Sequence, residues 1–231
     1  MRSSPLPRVR GIVFDLDGTL VDSLTDITAS LNHALARWRL PAKDPAWMRL
    51  NVGQGAAFLV AQAVAGTSGE DRQAEILAAF VAHYEAHPCP ATFPYPGVPE
   101  ALADCHARGL TLAVLSNKPA GIVVRVVDAM GWRPWFRYVW GGDSFPEHKP
   151  SPLPLRHFMM ATGLAPEEVL MVGDSSADVL CARNADARCA FFPGGYGRLD
   201  GTGLTADFTL ASMGDLPALL DHFSRRVRSQ E

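Results

Sequence analysis

"GIVFDLDGTLVDS", residues 11–23, runs from an apolar stretch through two aspartates spaced two apart into a Gly-Thr turn and then a helical pattern. Residues 10–16 read as a buried strand, because a short apolar run bounded by turn residues suits a strand covered on both faces. After it the period changes. From Ser23, the expected N-cap, Leu24, Ile27, Leu31, Leu35 and Trp38 fall on one face at helical spacing. Asp44-Pro45 opens a second helix as cap and first-turn proline, Gly53 stops it, and two more helices follow, divided by the stretch from Gly66 to Gly69. Residues 24–87 are thus expected to be all helical.

"PCPATFPYPGV", residues 88–98, holds four prolines and a glycine, too stiff and too poor in N–H donors for an element interior, and reads as a hinge or linker. Beyond it helices at 99–108, 119–130, 152–162 and 176–186 alternate with the strands "TLAVLSN", "YVWGG", "VLMVGD" and "CAFF". A late "DFTL" strand and the helix "MGDLPALLDHF" follow. Such alternation implies parallel strands joined by right-handed crossovers. The expected fold is α/β, a doubly wound parallel sheet (Rossmann-like) with a helical cap inserted after the first strand. Residues 1–20 and 94–231 form the core and residues 21–93 the cap.

Composition narrows the partners. Of 231 residues 48% are hydrophobic and 19% charged, with a net charge of -3, which is ordinary for a globular chain and offers no footprint for nucleic acid or anionic lipid. A small-molecule partner is expected instead. Cys89, Cys105, Cys181 and Cys189 show neither zinc-ligand spacing nor the density of a secreted disulfide scaffold, and read as reduced thiols of a cytoplasmic protein. The apolar stretch near the N-terminus is too short for a signal peptide. The uncharged run 50–69 is broken by four glycines, Asn51, Gln54 and Gln62, and makes a poor membrane span.

In sheets of this kind ligands bind outside the carboxyl ends of the strands. Those ends are unusually polar here: Asp15 and Asp17 after the first strand, Ser116, Asn117 and Lys118 after the second, Lys149 after the third, Asp174, Ser175 and Asp178 after the fourth. Clustered carboxylates repel unless a cation sits among them, and an oxygen-only donor set favours Mg²⁺ over zinc. A calcium loop starting at Asp15 is excluded, since Leu20 and Asp26 stand where its glycine and bidentate glutamate belong. No phosphate-binding G-x-x-x-x-G-K-[ST] occurs.

Each cluster also has a plainer reading. Asp15–Gly18 suits a turn, Ser116 and Asn117 a helix cap, Lys149 a solvated loop, and Asp174–Asp178 an Asx turn with an N-cap. One site explains all four more economically. Of only three lysines, Lys43, Lys118 and Lys149, two follow strands at this edge, where a compact point charge meets a single oxygen.

"FDLDGTLVDS", "LSNKP", "HKPSPLP" and "VGDSSAD", in that order, resemble the four motifs of the haloacid dehalogenase superfamily of phosphohydrolases over about residues 9–195. "NVGQGAAFLV" and "FPYPGV" are similar to the cap and hinge of its bacterial phosphoglycolate phosphatases. The resemblance implies that Asp15 is the nucleophile, Asp17 the acid and base, and Lys149 the neutralising cation. It implies that Ser116 and Asn117 bind the phosphoryl group, and that Asp15, the carbonyl of Asp17 and Asp174 hold Mg²⁺, with Asp178 supporting them. The implied activity is Mg²⁺-dependent hydrolysis of a small phosphorylated metabolite, foremost 2-phosphoglycolate.

Glycines let backbone N–H groups approach an anion, so Gly53, Gln54 and Gly55 of the cap are expected over the non-phosphate end of the substrate, unless the glycines merely end and start helices. Arg49 is either a helper or solvated. Haloalkanoate dehalogenases need no acid at the position of Asp17, and Lys43 lies in a loop, unsuited to the cap lysine of phosphonate hydrolases. A sugar-phosphate phosphatase, such as one for N-acetylmuramic acid 6-phosphate, and a sugar-phosphate mutase are the rivals. A non-catalytic binding module is disfavoured by the intact acids, Ser116 and Lys149.

Overall fold

The computed structural model describes residues 8–228. β1 (Gly11–Phe14) leads through a turn to β2 (Val21–Asp22), and the helices α1 (Leu24–Arg37), α2 (Pro45–Asn51), α3 (Ala56–Val64) and α4 (Gln73–Ala86) follow. β3 (Phe93–Pro94) returns the chain to α5 (Val98–Ala107), β4 (Thr111–Leu115), α6 (Ala120–Ala129) and β5 (Tyr138–Trp140). Then come α7 (Leu153–Thr162), β6 (Val169–Gly173), α8 (Ser176–Asn184), β7 (Arg188–Phe191), β8 (Phe208–Thr209) and α9 (Leu216–Arg228).

The larger sheet has the order β5-β4-β1-β6-β7-β8, every neighbouring pair parallel, as the alternation of strands and helices predicts. Strand order reverses at β1, which puts the crevice of the fold at the end of "GIVF". Period two sorts the side chains of the central strands between two layers. Ile12, Phe14, Leu112, Val114, Leu170 and Val172 join the layer of α5, α6 and the cap helices, whereas Val13, Ala113, Leu115 and Met171 meet α7 and α8. Both layers are apolar, so β1 and β6 are buried at every position. Complete burial of one such side chain, Phe14 for example, contributes roughly 1.5–3 kcal/mol.

The helices inserted after β2 follow their sequence pattern closely. Leu24, Ile27, Leu31 and Leu35 are buried, while Trp38 falls just past the helix at its C-cap and is partly buried. Asp44 caps α2 by accepting from the Trp47 N–H at 2.8 Å, with Pro45 in the first turn. Residues 88–98 are more ordered than a linker: β3 pairs antiparallel with β2, so the two crossings between sheet and cap run side by side. Proline is tolerated there because a two-residue ribbon leaves it at an edge. Asp26 of α1 fastens this crossing, accepting from the Ala91 N–H at 3.0 Å and the Thr92 hydroxyl at 2.6 Å.

Ser23 stands at the N-cap of α1 as expected, yet its hydroxyl makes no cap bond. The first N–H groups are met by Tyr196 and Asp22 instead, which frees Ser23 Oγ for Asp17. The four cysteines are free thiols. Among the described residues no helix is long and apolar enough to cross a membrane.

Candidate active site

At the carboxyl edge of the sheet, Asp15 prolongs β1 by one bond, its N–H donating to the Val172 carbonyl at 2.9 Å. Its Oδ1 accepts from the Leu16 N–H at 2.7 Å and from Lys149 Nζ at 2.9 Å. Lys149 also meets Asp178 Oδ1 at 2.7 Å, and its side chain is only 1% exposed, which rules out the solvated-loop reading. Asp174, after β6, accepts from the Thr19 hydroxyl at 3.1 Å and from the N–H groups of Tyr196 at 2.7 Å and Gly197 at 3.0 Å. Asp178 Oδ2 accepts from the Ser175 N–H at 3.0 Å and hydroxyl at 2.6 Å, so Ser175 does open α8, while the other oxygen of Asp178 belongs to the site.

Asp15, Asp174 and Asp178 each offer one oxygen within 4.8 Å of the others, and all three residues are buried. Gly18, at φ +83, turns the chain here, and a Cβ on it would collide with Asp174 Oδ2. Burial raises the Asp15 pKa above the carboxylate range, with Asp178 and Asp174 adding to the rise and Lys149 opposing it. Burial, then Asp178, raises Asp174 likewise. Three buried carboxylates face one ammonium, an imbalance that a hard divalent cation would correct. The oxygen-only donors fit Mg²⁺ rather than a nitrogen- or sulfur-seeking metal.

Asp17 parts from this cluster. β1 stops at Phe14, so both aspartates lie beyond the strand and their directions are set by the turn that follows. Asp17 Oδ1 accepts from the Ser23 hydroxyl at 2.5 Å and from Lys118 Nζ at 2.5 Å, and the Asp17 side chain is not part of the acidic cluster. Lys118 donates a second bond, 2.7 Å, to the hydroxyl of Tyr84 on α4. Burial pulls the Lys118 pKa down, but Asp17 and Tyr84 outweigh it and raise the value, so the side chain is an ammonium. Burial pushes the Tyr84 phenol up to about 12 against the pull of Lys118.

Ser116 and Asn117 are buried at the end of β4 and do not cap α6, whose Ala120 N–H is met by Asp143 at 2.7 Å. Asn117 Nδ2 instead donates to the carbonyls of Lys149 at 2.9 Å and Gly53 at 3.1 Å. The second bond brings the expected cap loop onto the core. Gly53 and Gly55 adopt φ +118 and +95, and a Cβ on Gly55 would lie 3.2 Å from the Asn117 carbonyl oxygen.

A small cavity of about 50 Å³ is lined by Asp15, Asp17, Ser116, Asn117, Lys118 and Tyr84 among others, with Gly53 and Gly55 over it. Outside it a wide groove of about 1190 Å³ runs between cap and core past Arg49, Gln54, Lys149, Ser175 and Arg198. Arg49 is exposed and lines the groove rather than the small cavity, with its guanidinium over the Tyr196 ring, 5.6 Å from the centroid. Lys43 stays away, its ammonium over Trp47.

The structure thus gathers Asp15, Asp174, Asp178 and Lys149 in one cluster, and Asp17, Ser116, Asn117, Gly53 and Gly55 around the cavity beside it. Gln54 lines the outer groove only. Tyr84 and Tyr196 were not foreseen. Tyr84 shares a helix face with Ile76 and Phe80 and so reads as core. Tyr196 lies beyond the last motif, and the sole signal for Lys118 was the scarcity of lysine.

The sequence pattern of the family described as haloacid dehalogenase-like hydrolase matches residues 12–192. A phosphoglycolate phosphatase of Chromobacterium violaceum is 38% identical over 223 residues, spanning 93% of this chain and 98% of that protein. A solved predicted phosphoglycolate phosphatase of Haemophilus somnus superposes with a TM-score of 0.83 at 30% identity, covering 91% of this chain and 97% of that one. The structure of CbbY from Rhodobacter sphaeroides in complex with phosphate superposes at 0.79 with 25% identity, covering 92% and 99%.

Proposed function

Because the chain belongs to the haloacid dehalogenase-like hydrolases, we propose that it is a cytoplasmic Mg²⁺-dependent phosphatase of small phosphomonoesters, foremost 2-phosphoglycolate, acting through an aspartyl-phosphate on Asp15. The observation that carries this reading is the buried set of Asp15, Asp174, Asp178 and Lys149 at the switch point of the sheet, opening beside the Asp17 and Ser116 cavity. The relatives named as phosphoglycolate phosphatases support the substrate. CbbY, with phosphate bound, supports a phosphoryl-group site without choosing between esters, and a sugar-phosphate phosphatase or mutase is the second candidate.

An oxygen of Asp15 attacks phosphorus in line with the ester oxygen, and the P–O bond to the alcohol breaks as the Asp15–phosphorus bond forms. Asp17 gives a proton to the departing oxygen, then takes one from the water that attacks the phosphoryl-aspartate and releases phosphate. Lys149, fixed between Asp15 and Asp178, meets the charge on the equatorial oxygens. The Ser116 hydroxyl and the Asn117 N–H hold those oxygens in line. Asp15, Asp174, the carbonyl of Asp17 and the neighbouring Asp178 would hold Mg²⁺, which would supply the positive charge that lets one anion approach another. Residues 21–93 act as the lid over residues 1–20 and 94–231, with Gly53, Gln54 and Gly55 meeting the far end of the substrate.

Purified protein should release phosphate from 2-phosphoglycolate with Mg²⁺ and lose that activity on chelation; release that survives EDTA would overturn the metal. Ser116→Ala should lower turnover about 10²-fold, the scale of one lost charge-stabilising donor. An unchanged rate would remove Ser116 from the phosphoryl site.

Protonation provides an independent check. Asp15 and Asp174 have folded-state pKa values raised to about 8 and about 6, so the stability they provide is complete below about pH 4 and is lost as pH rises through those two values. A cation binding the ionised cluster reverses that loss. Mg²⁺ should therefore raise the melting temperature more at pH 8 than at pH 5, relative to EDTA; an equal or larger rise at pH 5 would contradict the assignment.

A further inference from the structure

We propose that Tyr84 is a positioning residue for the catalytic acid: from the cap, its hydroxyl holds Lys118 so that Lys118 fixes Asp17 for proton transfer to the leaving oxygen. The inference rests on the phosphatase reading above. Lys118 Nζ lies 2.5 Å from Asp17 Oδ1 and 2.7 Å from the Tyr84 hydroxyl oxygen, and 4.5 Å from the centroid of the Tyr84 ring. The Lys118 side chain is 5% exposed and Tyr84 is 1% exposed, so both meet protein rather than solvent.

An ammonium on a flexible four-carbon stem has no preferred direction of its own. With one anion as its only partner it would follow that anion; the Tyr84 hydroxyl and ring give it a second, fixed anchor. Ser23 and Lys118 together occupy Oδ1 of Asp17, which leaves Oδ2 as the oxygen that exchanges the proton. That proton passes from Oδ2 to the ester oxygen as the P–O bond breaks, and the Asp15–phosphorus bond replaces it.

Tyr84 belongs to α4 of the cap, whereas Lys118 and Asp17 belong to the sheet edge. The Tyr84–Lys118 bond therefore exists only with the cap seated on the core. Proton delivery is tied to the same movement that brings Gly53 onto Asn117.

The test is the dependence of the loss on the leaving group. An alkyl phosphate such as 2-phosphoglycolate needs a proton on its departing oxygen, and p-nitrophenyl phosphate does not. Tyr84→Phe keeps the ring and removes the hydroxyl; its kcat/KM, which reports phosphoryl transfer to Asp15 and not the shared hydrolysis step, should fall about 10-fold or more on 2-phosphoglycolate and less than about threefold on p-nitrophenyl phosphate, a fraction of what a general acid contributes. Equal losses on both esters, or no loss, would overturn the role. Lys118→Met should show the same selectivity even if Tyr84→Phe proves too unstable to assay, and an unselective loss there would overturn it as well.

Adding Tyr84→Phe to Lys118→Met should lower kcat/KM on 2-phosphoglycolate no further, since Tyr84 acts through Lys118, and additive losses would contradict that. Wild-type protein inactive on both esters would overturn the phosphatase reading and this role together. An active wild type with an unselective Tyr84→Phe overturns this role alone.

Discussion

Asp15→Asn is expected to lower turnover by on the order of 10⁴-fold or more, because in the proposed mechanism it removes the atom that forms the covalent bond. The substitution is nearly isosteric. An asparagine carbonyl can still accept from the Leu16 N–H and from Lys149, the two donors that Asp15 Oδ1 meets at 2.7 and 2.9 Å. It also takes one charge out of a buried group in which Asp174 and Asp178 already repel it. The variant should therefore fold at least as stably as the wild type in EDTA while being inactive. This pairing of outcomes separates a nucleophile from a structural residue. Steady-state phosphate release and a thermal melt measure it, and near-wild-type turnover in Asp15→Asn would end the covalent mechanism.

Lys149→Met should show the opposite pattern in stability. The methionine keeps an unbranched, flexible side chain in a site where the lysine is 1% exposed, but Asp15 and Asp178 lose their shared ammonium. Burial pulls the Lys149 pKa down, yet the two carboxylates outweigh it and raise it, so the wild-type side chain is charged when it makes these contacts. Breaking a buried ion pair by removing one partner costs about 3–5 kcal/mol, since the remaining charge is uncompensated. Turnover should fall about 10³-fold with it, as one charge-stabilising donor is lost next to the reacting phosphoryl group. Denaturant unfolding in EDTA, repeated with Mg²⁺, checks the first part: the deficit should be largest without the cation. A variant as stable as wild type in EDTA would mean that Lys149 does not balance the acids.

Both expectations turn on residues that are readable in the sequence. A parallel sheet sends every carboxyl end to one edge, so the polar residues after "GIVF", "TLAVL" and "VLMVG" had to converge whatever the details of the helices. The apolar strand pattern and the Asp44-Pro45 start of α2 were legible for similarly local reasons. What escaped notice depends on contacts between distant segments. Ser23 is the N-cap residue its position suggests, but the partner of its hydroxyl, Asp17, is found only after the turn folds back. Residues 88–98 looked like a linker because ribbon pairing with Val21 and Asp22 is invisible from proline content.

Tyr84 escaped for a different reason. On a helix with Ile76 and Phe80 buried on the same face, a tyrosine is indistinguishable from core packing until its hydroxyl is seen to reach across to Lys118. The roles of the two aspartates in "DLD" are likewise divided by neighbours rather than by spacing: Lys149 and two carboxylates around Asp15, Lys118 and Ser23 around Asp17.

The central claim is a small-phosphomonoester phosphatase with 2-phosphoglycolate as preferred substrate. The most direct measurement is kcat/KM for phosphate release with Mg²⁺, compared across 2-phosphoglycolate, N-acetylmuramic acid 6-phosphate and a set of sugar phosphates. The expected result is highest efficiency on 2-phosphoglycolate, with all release abolished in Asp15→Asn. Far higher efficiency on a sugar phosphate would contradict the substrate, and no release from any ester would contradict the phosphatase itself.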